Sequence, residues 1–307
     1  MERRPKIVVI AGPTASGKTA LAVELAGLVG GEIVGADSVQ VYRRLDIGTA
    51  KPTAEQRAEV RHHMIDVADP DESYDAARYA AQAGAAVEEI ASRGAVPFVV
   101  GGTGLYIRAL LGGLAAAPPG DRGLRERLEL VAKSEGPEAL HAMLGRVDPE
   151  AASRIHPNNV RRVVRALEVY SLTGTPISRL QRSHRFAASR FDALTIVVEP
   201  ERRALYQAID DRVERMIAEG LVDEARALLE AGYSADLKAL RSLGYKEVIE
   251  HLAGGAGIEE TKTLIKRNTK AYARRQITWF RRERGAVRLP PDGKAAIMNE
   301  VRRHLGT

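Results

Sequence analysis

Eight consecutive residues, Gly12-Pro13-Thr14-Ala15-Ser16-Gly17-Lys18-Thr19, carry the spacing G-x-x-x-x-G-K-[ST], a pattern whose chemistry is the holding of a phosphate chain. Glycine at 12 and 17 permits the turn and a close backbone approach. Lys18 supplies a point charge, and the Thr19 hydroxyl can ligate a magnesium ion carried by the phosphates. A second group of interest is Asp37, just after the short apolar run Ile33 to Ala36. A carboxylate there can take a proton from a nucleophile attacking whatever the loop holds, or it can cap a helix or turn through Ser38.

Many phosphate-loop enzymes place a magnesium-holding Asp at the end of another apolar strand. Val96 to Val100 fits such a strand but ends in Gly101-Gly102-Thr103-Gly104, which weakens the case for a motor or switch NTPase. Asp66 and Glu199 remain as substitutes. The glycines form either a second anion-facing turn or a place of close packing.

These groups need a frame, and the chain's periodicity supplies one. Apolar β-branched runs predict strands near 6–11, 32–36 and 96–100. Helical spacing predicts helices near 18–29, 74–92 and 104–111. This alternation predicts an α/β fold, a P-loop NTPase-like parallel sheet flanked by helices. After Gly112-Gly113 and Pro118-Pro119-Gly120 only amphipathic helical segments follow, among them Leu124 to Val131 and Val160 to Leu172. An all-helical insertion domain over 118–189 is therefore expected within a core of 1–117 and 190–307. A strand at Ala193 to Val198 and helices near 201–218 and 258–284 return the chain to the sheet.

Composition narrows the partners. No apolar run approaches a membrane span, and Met1 to Pro5 are charged and followed at once by a strand, so no signal peptide is expected. The absence of cysteine excludes disulfides, thiolate metal sites and a cysteine nucleophile, and fits a reducing cytoplasm. Residues 1–120 hold 12 Lys and Arg against 14 Asp and Glu, and the remainder 34 against 26. The positive excess thus lies in the later part, as for a polyanionic partner engaged there. Between Lys262 and Arg284 nine cations face only Glu283, with Tyr272, Trp279 and Phe280 interleaved. Such a helix can set cations on nucleic-acid phosphates and its aromatics on bases or in the core. Arg161, Arg162 and Arg165 form another cluster. The seven histidines lack the spacing of a zinc site, His62 and His63 being adjacent.

In their ordered set, the motifs resemble the tRNA dimethylallyltransferases, bacterial type, also called tRNA isopentenyltransferases. The resemblance rests on the phosphate loop, Asp37-Ser38-Val39-Gln40-Val41-Tyr42 and Asp46-Ile47-Gly48-Thr49-Ala50-Lys51-Pro52. It continues through His62-His63-Met64-Ile65-Asp66, Val100-Gly101-Gly102-Thr103-Gly104-Leu105-Tyr106, His156-Pro157-Asn158, Arg165-Ala166-Leu167-Glu168-Val169 and Arg275-Gln276-Ile277-Thr278-Trp279. It covers nearly the whole chain, without the zinc-finger extension of eukaryotic relatives.

The resemblance implies transfer of a dimethylallyl group from dimethylallyl diphosphate to N6 of the adenosine 3′ of the anticodon, with Mg²⁺ and release of diphosphate. By position, Asp37 is then the general base, and Lys18, Thr19 with Mg²⁺, and Arg212 neutralise the leaving diphosphate. Ser38, Val39 and Gln40, with Asp37, are expected at the flipped base and Thr103 along its channel, between sheet domain and insertion. Arg125 and the run Arg161, Arg162, Val163, Val164 and Arg165 are expected to meet the anticodon stem-loop. A cytoplasmic monomer is expected. Read from the residues alone, a small-molecule kinase using ATP at the same loop stays open, as does an RNA-binding module with a vestigial loop.

Overall fold

The computed structural model describes residues 4–115, 117–184 and 190–306. Met1 to Arg3, and 185–189 at the expected end of the insertion, lie outside the described residues. The chain forms two compact units, Met1–Leu111 with Arg190–Thr307, and Gly112–Ser189. The first unit begins with β1 (Lys6–Ala11), α1 (Lys18–Val29), β2 (Gly31–Gly35), α2 (Ala54–Glu59), β3 (His62–His63), α3 (Ala76–Ser92), β4 (Val96–Gly101) and α4 (Gly104–Gly112). The second holds α5 (Arg122–Ser134), α6 (Pro137–Val147), α7 (Pro149–Arg154), α8 (Val160–Thr173) and α9 (Ile177–His184). The first unit resumes with β5 (Asp192–Val198), α10 (Arg202–Ala218), α11 (Leu221–Glu230), α12 (Tyr245–Leu252), α13 (Ile258–Phe280), β6 (Val287–Leu289) and α14 (Lys294–Leu305).

Six parallel strands lie in the order β3-β2-β4-β1-β5-β6. On β1 the side chains alternate between two cores. Ile7, Val9 and Ala11 join one with residues of α3, α4, α11 and α12, while Val8 and Ile10 join the other with α1 and α14. A central strand buried on both faces explains why Lys6 to Ala11 reads as a continuous apolar run.

The strand order refines one expectation. β2 does not neighbour β1; β4 runs between them. Asp37 still reaches the phosphate loop because the end of β4 is thin. A Cβ on Gly101 would lie 2.1 Å from the Ala36 carbonyl oxygen, and one on Gly102 would lie 3.1 Å from the Gly12 carbonyl oxygen. On the other side of α4's start, a Cβ on Gly104 would strike the Trp279 indole at 2.1 Å. Of the two readings of these glycines, close packing is the one observed.

The last long helix ends at Phe280, four residues before the expected boundary. Arg288 reaches back and donates from Nη2 to the carbonyls of Phe280, Arg281 and Glu283 at 3.0, 3.2 and 3.3 Å, capping that end, and Gly285 turns the chain with φ 76°. His62 and His63 form the short edge strand. His63 Nε2 meets Glu32 at 2.6 Å and His62 Nδ1 meets the Val60 carbonyl at 2.7 Å, so both imidazoles serve structure.

The helical unit has its own core of Leu128, Leu140, Leu144, Val163, Val164 and Leu167. Asp121 caps α5 through the Leu124 N–H at 2.7 Å, and Asp148 caps α7 through the Ala151 N–H at 2.9 Å. Buried Glu168 accepts from Asp121 N–H at 2.7 Å and pairs with Arg125 and Arg165.

Candidate active site

The phosphate loop leaves β1 and enters α1 through left-handed backbone at Ala15 (φ 61°) and Gly17 (φ 77°). α1 has no side-chain cap, so the N–H groups of its first turn have no intrahelical acceptor and favour an anion. Lys18 folds over the loop, donating from Nζ to the Pro13 carbonyl at 3.0 Å. Burial lowers its pKa to about 8; Asp37 opposes that shift and Arg212 adds to it. Arg212 is likewise lowered by burial, with Asp37 again opposing. Lys18, Arg212 and Asp37 therefore form one electrostatic cluster at the carboxyl ends of the strands, two cations about one carboxylate.

Asp37 closes the turn that follows β2. Its Oδ1 accepts from the N–H groups of Val39 (2.8 Å) and Gln40 (3.2 Å), closing a tight turn after β2. Among the described residues its Oδ2 has no hydrogen-bond partner. One oxygen anchors the side chain and the other is left open.

Around Asp37 the other expected site residues are held by backbone groups. Ser38 N–H donates to Thr103 Oγ1 at 3.0 Å, and Thr103 N–H donates to the Ala36 carbonyl at 3.1 Å. Val39 packs against the core. Gln40 Nε2 donates to the carbonyls of Thr49 (3.0 Å) and Ala50 (3.1 Å). Thr19 is part-buried at the start of α1. Asp66, one of the two substitutes for a magnesium-holding acid, is instead paired with Lys51 at 2.5 Å and Arg57 at 3.2 Å.

The basic helix α13 is more neutral than its own residues suggest. Lys262 and Lys266 pair with Glu214, and Lys270 pairs with Asp210 at 2.7 Å, both acids lying on α10. Arg267, Arg274, Arg275, Arg282 and Arg284 stay exposed. Phe280 is buried, and Trp279 packs against the core with the Arg108 guanidinium 4.4 Å from its ring. Tyr272 points into the site: burial and the Asp37 charge push its phenol up to about 12, and its hydroxyl lies beside Thr103 and Gln276.

Three groups escape a local reading of the sequence. Gln276 bridges Thr14 N–H and the Gly102 carbonyl. Glu224 accepts from the N–H groups of Asp46, Ile47 and Gly48 at 3.0, 2.9 and 3.2 Å and from the Tyr245 hydroxyl. Tyr245 in turn occupies the space a Cβ on Gly48 would need. The only sequence signal for them was membership in the motifs around Gln276 and Gly48.

In the helical unit, Arg125 and Arg165 are engaged by Glu168, Arg165 also donating to the Pro118 carbonyl at 2.9 Å. Val163 and Val164 are buried, which removes their side chains from the expected RNA-contacting run. Arg161 and Arg162 are exposed.

A central strand, phosphate loop and helix in a parallel sheet, with a carboxylate and an arginine near the loop's lysine, define a P-loop-type α/β protein. The chain belongs to the IPP transferase family, whose model matches residues 40–283. It is 54% identical to the tRNA dimethylallyltransferase of Geobacter sulfurreducens over 91% of this chain and 90% of that one. With the tRNA dimethylallyltransferase of Anaeromyxobacter dehalogenans it shares 52% identity over 96% and 99%. The crystal structure of the full-length tRNA isopentenylpyrophosphate transferase of Bacillus halodurans is similar with a TM-score of 0.73 and 40% identity over 99% and 97%. A eukaryotic dimethylallyltransferase acting on tRNA gives a TM-score of 0.82 at 29% identity, covering 96% of this chain and 77% of that one.

Proposed function

We propose that this chain transfers a dimethylallyl group from dimethylallyl diphosphate to N6 of the adenosine 3′ of the anticodon in tRNA, releasing diphosphate. The observation that carries this reading is the coupling of Lys18, Arg212 and Asp37, which puts groups for a leaving anion and for a departing proton in one site. The N6 lone pair forms the bond to the allylic carbon, and the C–O bond breaks with its electron pair going to the diphosphate. The N6 proton passes to Asp37 Oδ2, the oxygen that no backbone N–H occupies.

Bond breaking builds positive carbon and a more negative leaving group. Lys18 and Arg212 therefore stabilise the transition state more than the bound donor. An exocyclic amine is a weak nucleophile, so proton removal during attack helps. Magnesium suits the residues present: the Thr19 hydroxyl and the donor's own oxygens would hold it. Among the described residues no group of three or more His, Asp or Glu could hold a metal, and a cation carried by phosphates needs none. When bound, it supplies further neutralisation of the leaving diphosphate.

Ser38, Gln40 and Thr103 are the groups proposed at the acceptor base. Arg125, Arg161, Arg162 and Arg165 are proposed for RNA phosphates, with Arg161 and Arg162 carrying most of that contact because Glu168 holds the others. Among the described residues no helix is long and apolar enough to cross a membrane. A tRNA substrate supports a cytoplasmic location, which is the one proposed. We propose a monomer. The test supplies dimethylallyl diphosphate, Mg²⁺ and undermodified tRNA and reads nucleosides by mass spectrometry. N6-prenyladenosine supports the reading; its absence with folded protein, or ATP turnover without tRNA, defeats it.

A further inference from the structure

Gln276 sits on α13, far in sequence from both the phosphate loop and Asp37, and is 6% exposed. Its Oε1 accepts the Thr14 N–H at 2.9 Å, and its Nε2 donates to the Gly102 carbonyl at 2.9 Å. The two backbone partners fix which end is oxygen and which is nitrogen, since an N–H needs an acceptor and a carbonyl a donor. Gly102 has no room for a side chain, because a Cβ there would lie 2.3 Å from Gln276 Nε2. The amide therefore wedges directly between two stretches of main chain.

From Gly102 the connection runs on to the base. Thr103 donates from its N–H to Ala36 and accepts at Oγ1 from Ser38, the two residues flanking Asp37. One side chain thus links the loop that holds the donor to the turn that holds the proton acceptor. Tyr272, one helical turn earlier on the same face of α13, lies near Thr103 and Gln276.

We propose that Gln276 is a positioning residue for the transfer reaction, setting the separation between the donor-holding loop and Asp37. This rests on the prenyl-transfer reading above. The role demands one acceptor and one donor on a planar group. Methionine, of similar size, offers neither. Glutamate offers two acceptors when ionised, but as the neutral acid its carbonyl can accept from Thr14 while its O–H donates to Gly102. Gln276→Glu should therefore regain the wild-type connection on acidification, and Gln276→Met should not.

The experiment measures single-turnover prenyl transfer from dimethylallyl diphosphate to undermodified tRNA for wild type, Gln276→Met and Gln276→Glu between about pH 8.5 and pH 5.5, a range a buried carboxyl titrates through. The titratable groups around position 276 are Tyr272 from α13, Asp37 from the turn after β2 and Lys18 from the phosphate loop. Only Gln276→Glu adds a titratable group to this set, so Gln276→Met serves as the control in which the site's charges are unchanged. With tRNA affinity held within twofold, Gln276→Met should lose ~10²-fold in rate at every pH, the scale of a misplacement of about 1 Å. The ratio of Gln276→Glu to wild type should rise at least tenfold towards acid.

A Gln276→Met rate equal to wild type, or a Gln276→Glu ratio that stays flat with pH, overturns the proposal. A wild-type chain that makes no prenyladenosine removes the functional reading, and this inference with it. The wild-type lane alone separates the two failures. If both variants unfold below the assay temperature, Gln276→Asn serves as the third variant. It keeps both hydrogen-bonding groups one methylene short, so with tRNA affinity held within twofold its single-turnover rate should fall ~10-fold or more below wild type, and a rate equal to wild type overturns the proposal.

Discussion

Arg212 donates from Nη2 to the Thr49 carbonyl at 3.0 Å, the same oxygen that receives Gln40 Nε2. That oxygen belongs to a segment whose N–H groups at 46–48 are gathered by Glu224, and in which Lys51, two residues on, is buried on the Tyr42 carbonyl, Asp46 and Asp66. The guanidinium that faces Asp37 is thus aimed by a loop that is itself pinned at several points.

If Arg212 neutralises the leaving diphosphate as proposed, its aim as well as its charge should matter, and this separates arginine from lysine. Arg212→Lys keeps a cation but has a single compact head that must choose between the Thr49 carbonyl and the diphosphate. The expected result is a fall in kcat of ~10²-fold, comparable to loss of one oriented donor at a developing anion. The KM for tRNA should change little. Steady-state kinetics with saturating donor check this, and a kcat near wild type would show that charge alone suffices.

The sequence makes the central strand, the phosphate loop and the following helix legible because each is local: a run buried on two faces, a fixed spacing, a helical period. Asp37 follows from the rule that carboxyl ends of strands share an edge. Its nearness to the loop depends on Gly101 and Gly102 thinning the intervening strand, which only the strand order discloses. Whether those glycines face an anion or a packed neighbour was not legible, since the neighbours, Gln276 and Trp279, lie some 175 residues away. The same distance effect governs α13: its cations look unopposed along the helix, yet Asp210 and Glu214 oppose three of them from α10.

Lys18 predicts a pH dependence of anion binding. Burial places its pKa at about 8, below the ordinary 10.5. Below pH 8 the ammonium is charged and its burial weighs against folding. As pH rises from 8 to 10.5, the unfolded chain holds the extra proton, so this cost fades and stability gains from this group. Affinity runs the other way: inorganic pyrophosphate should bind more weakly as pH passes upward through about 8. Lys18→Arg, charged throughout, should show only the change due to the ligand's own protons. Calorimetric titrations of both proteins at several pH values make the comparison, and superimposable profiles would refute the assignment.

Glu168 predicts an acid-sensitive joint in the helical unit. Burial alone would raise its pKa, but hydrogen bonds from Arg125, Arg165 and the Asp121 N–H outweigh that and leave it below the usual glutamate value. Its contribution is therefore complete at neutral pH and is lost as pH falls from the unfolded value through the folded one. Glu168→Ala should cost ~3 kcal/mol, the low end for breaking a buried pair, because Arg125 stays half exposed and shares its charge with water. Hydrogen exchange over α5 and α8 at pH 7 and pH 4 reads the effect locally. Equal protection in wild type and variant at pH 7 would deny Glu168 that role.

Asp37 allows its two oxygens to be tested apart. Asp37→Asn keeps a carbonyl oxygen able to accept from Val39 and Gln40, so the turn after β2 persists, but the basic oxygen is gone. Asp37→Ala loses both. If the carboxylate acts as general base, both variants should lose ~10²–10⁴-fold in turnover. Only Asp37→Ala should also lose thermal stability, by ~1 kcal/mol for an uncapped turn. If the capping contacts were the whole of its role, Asp37→Asn would turn over near the wild-type rate. Rates and melting temperatures of the two variants, measured together, decide between a proton acceptor and a structural cap.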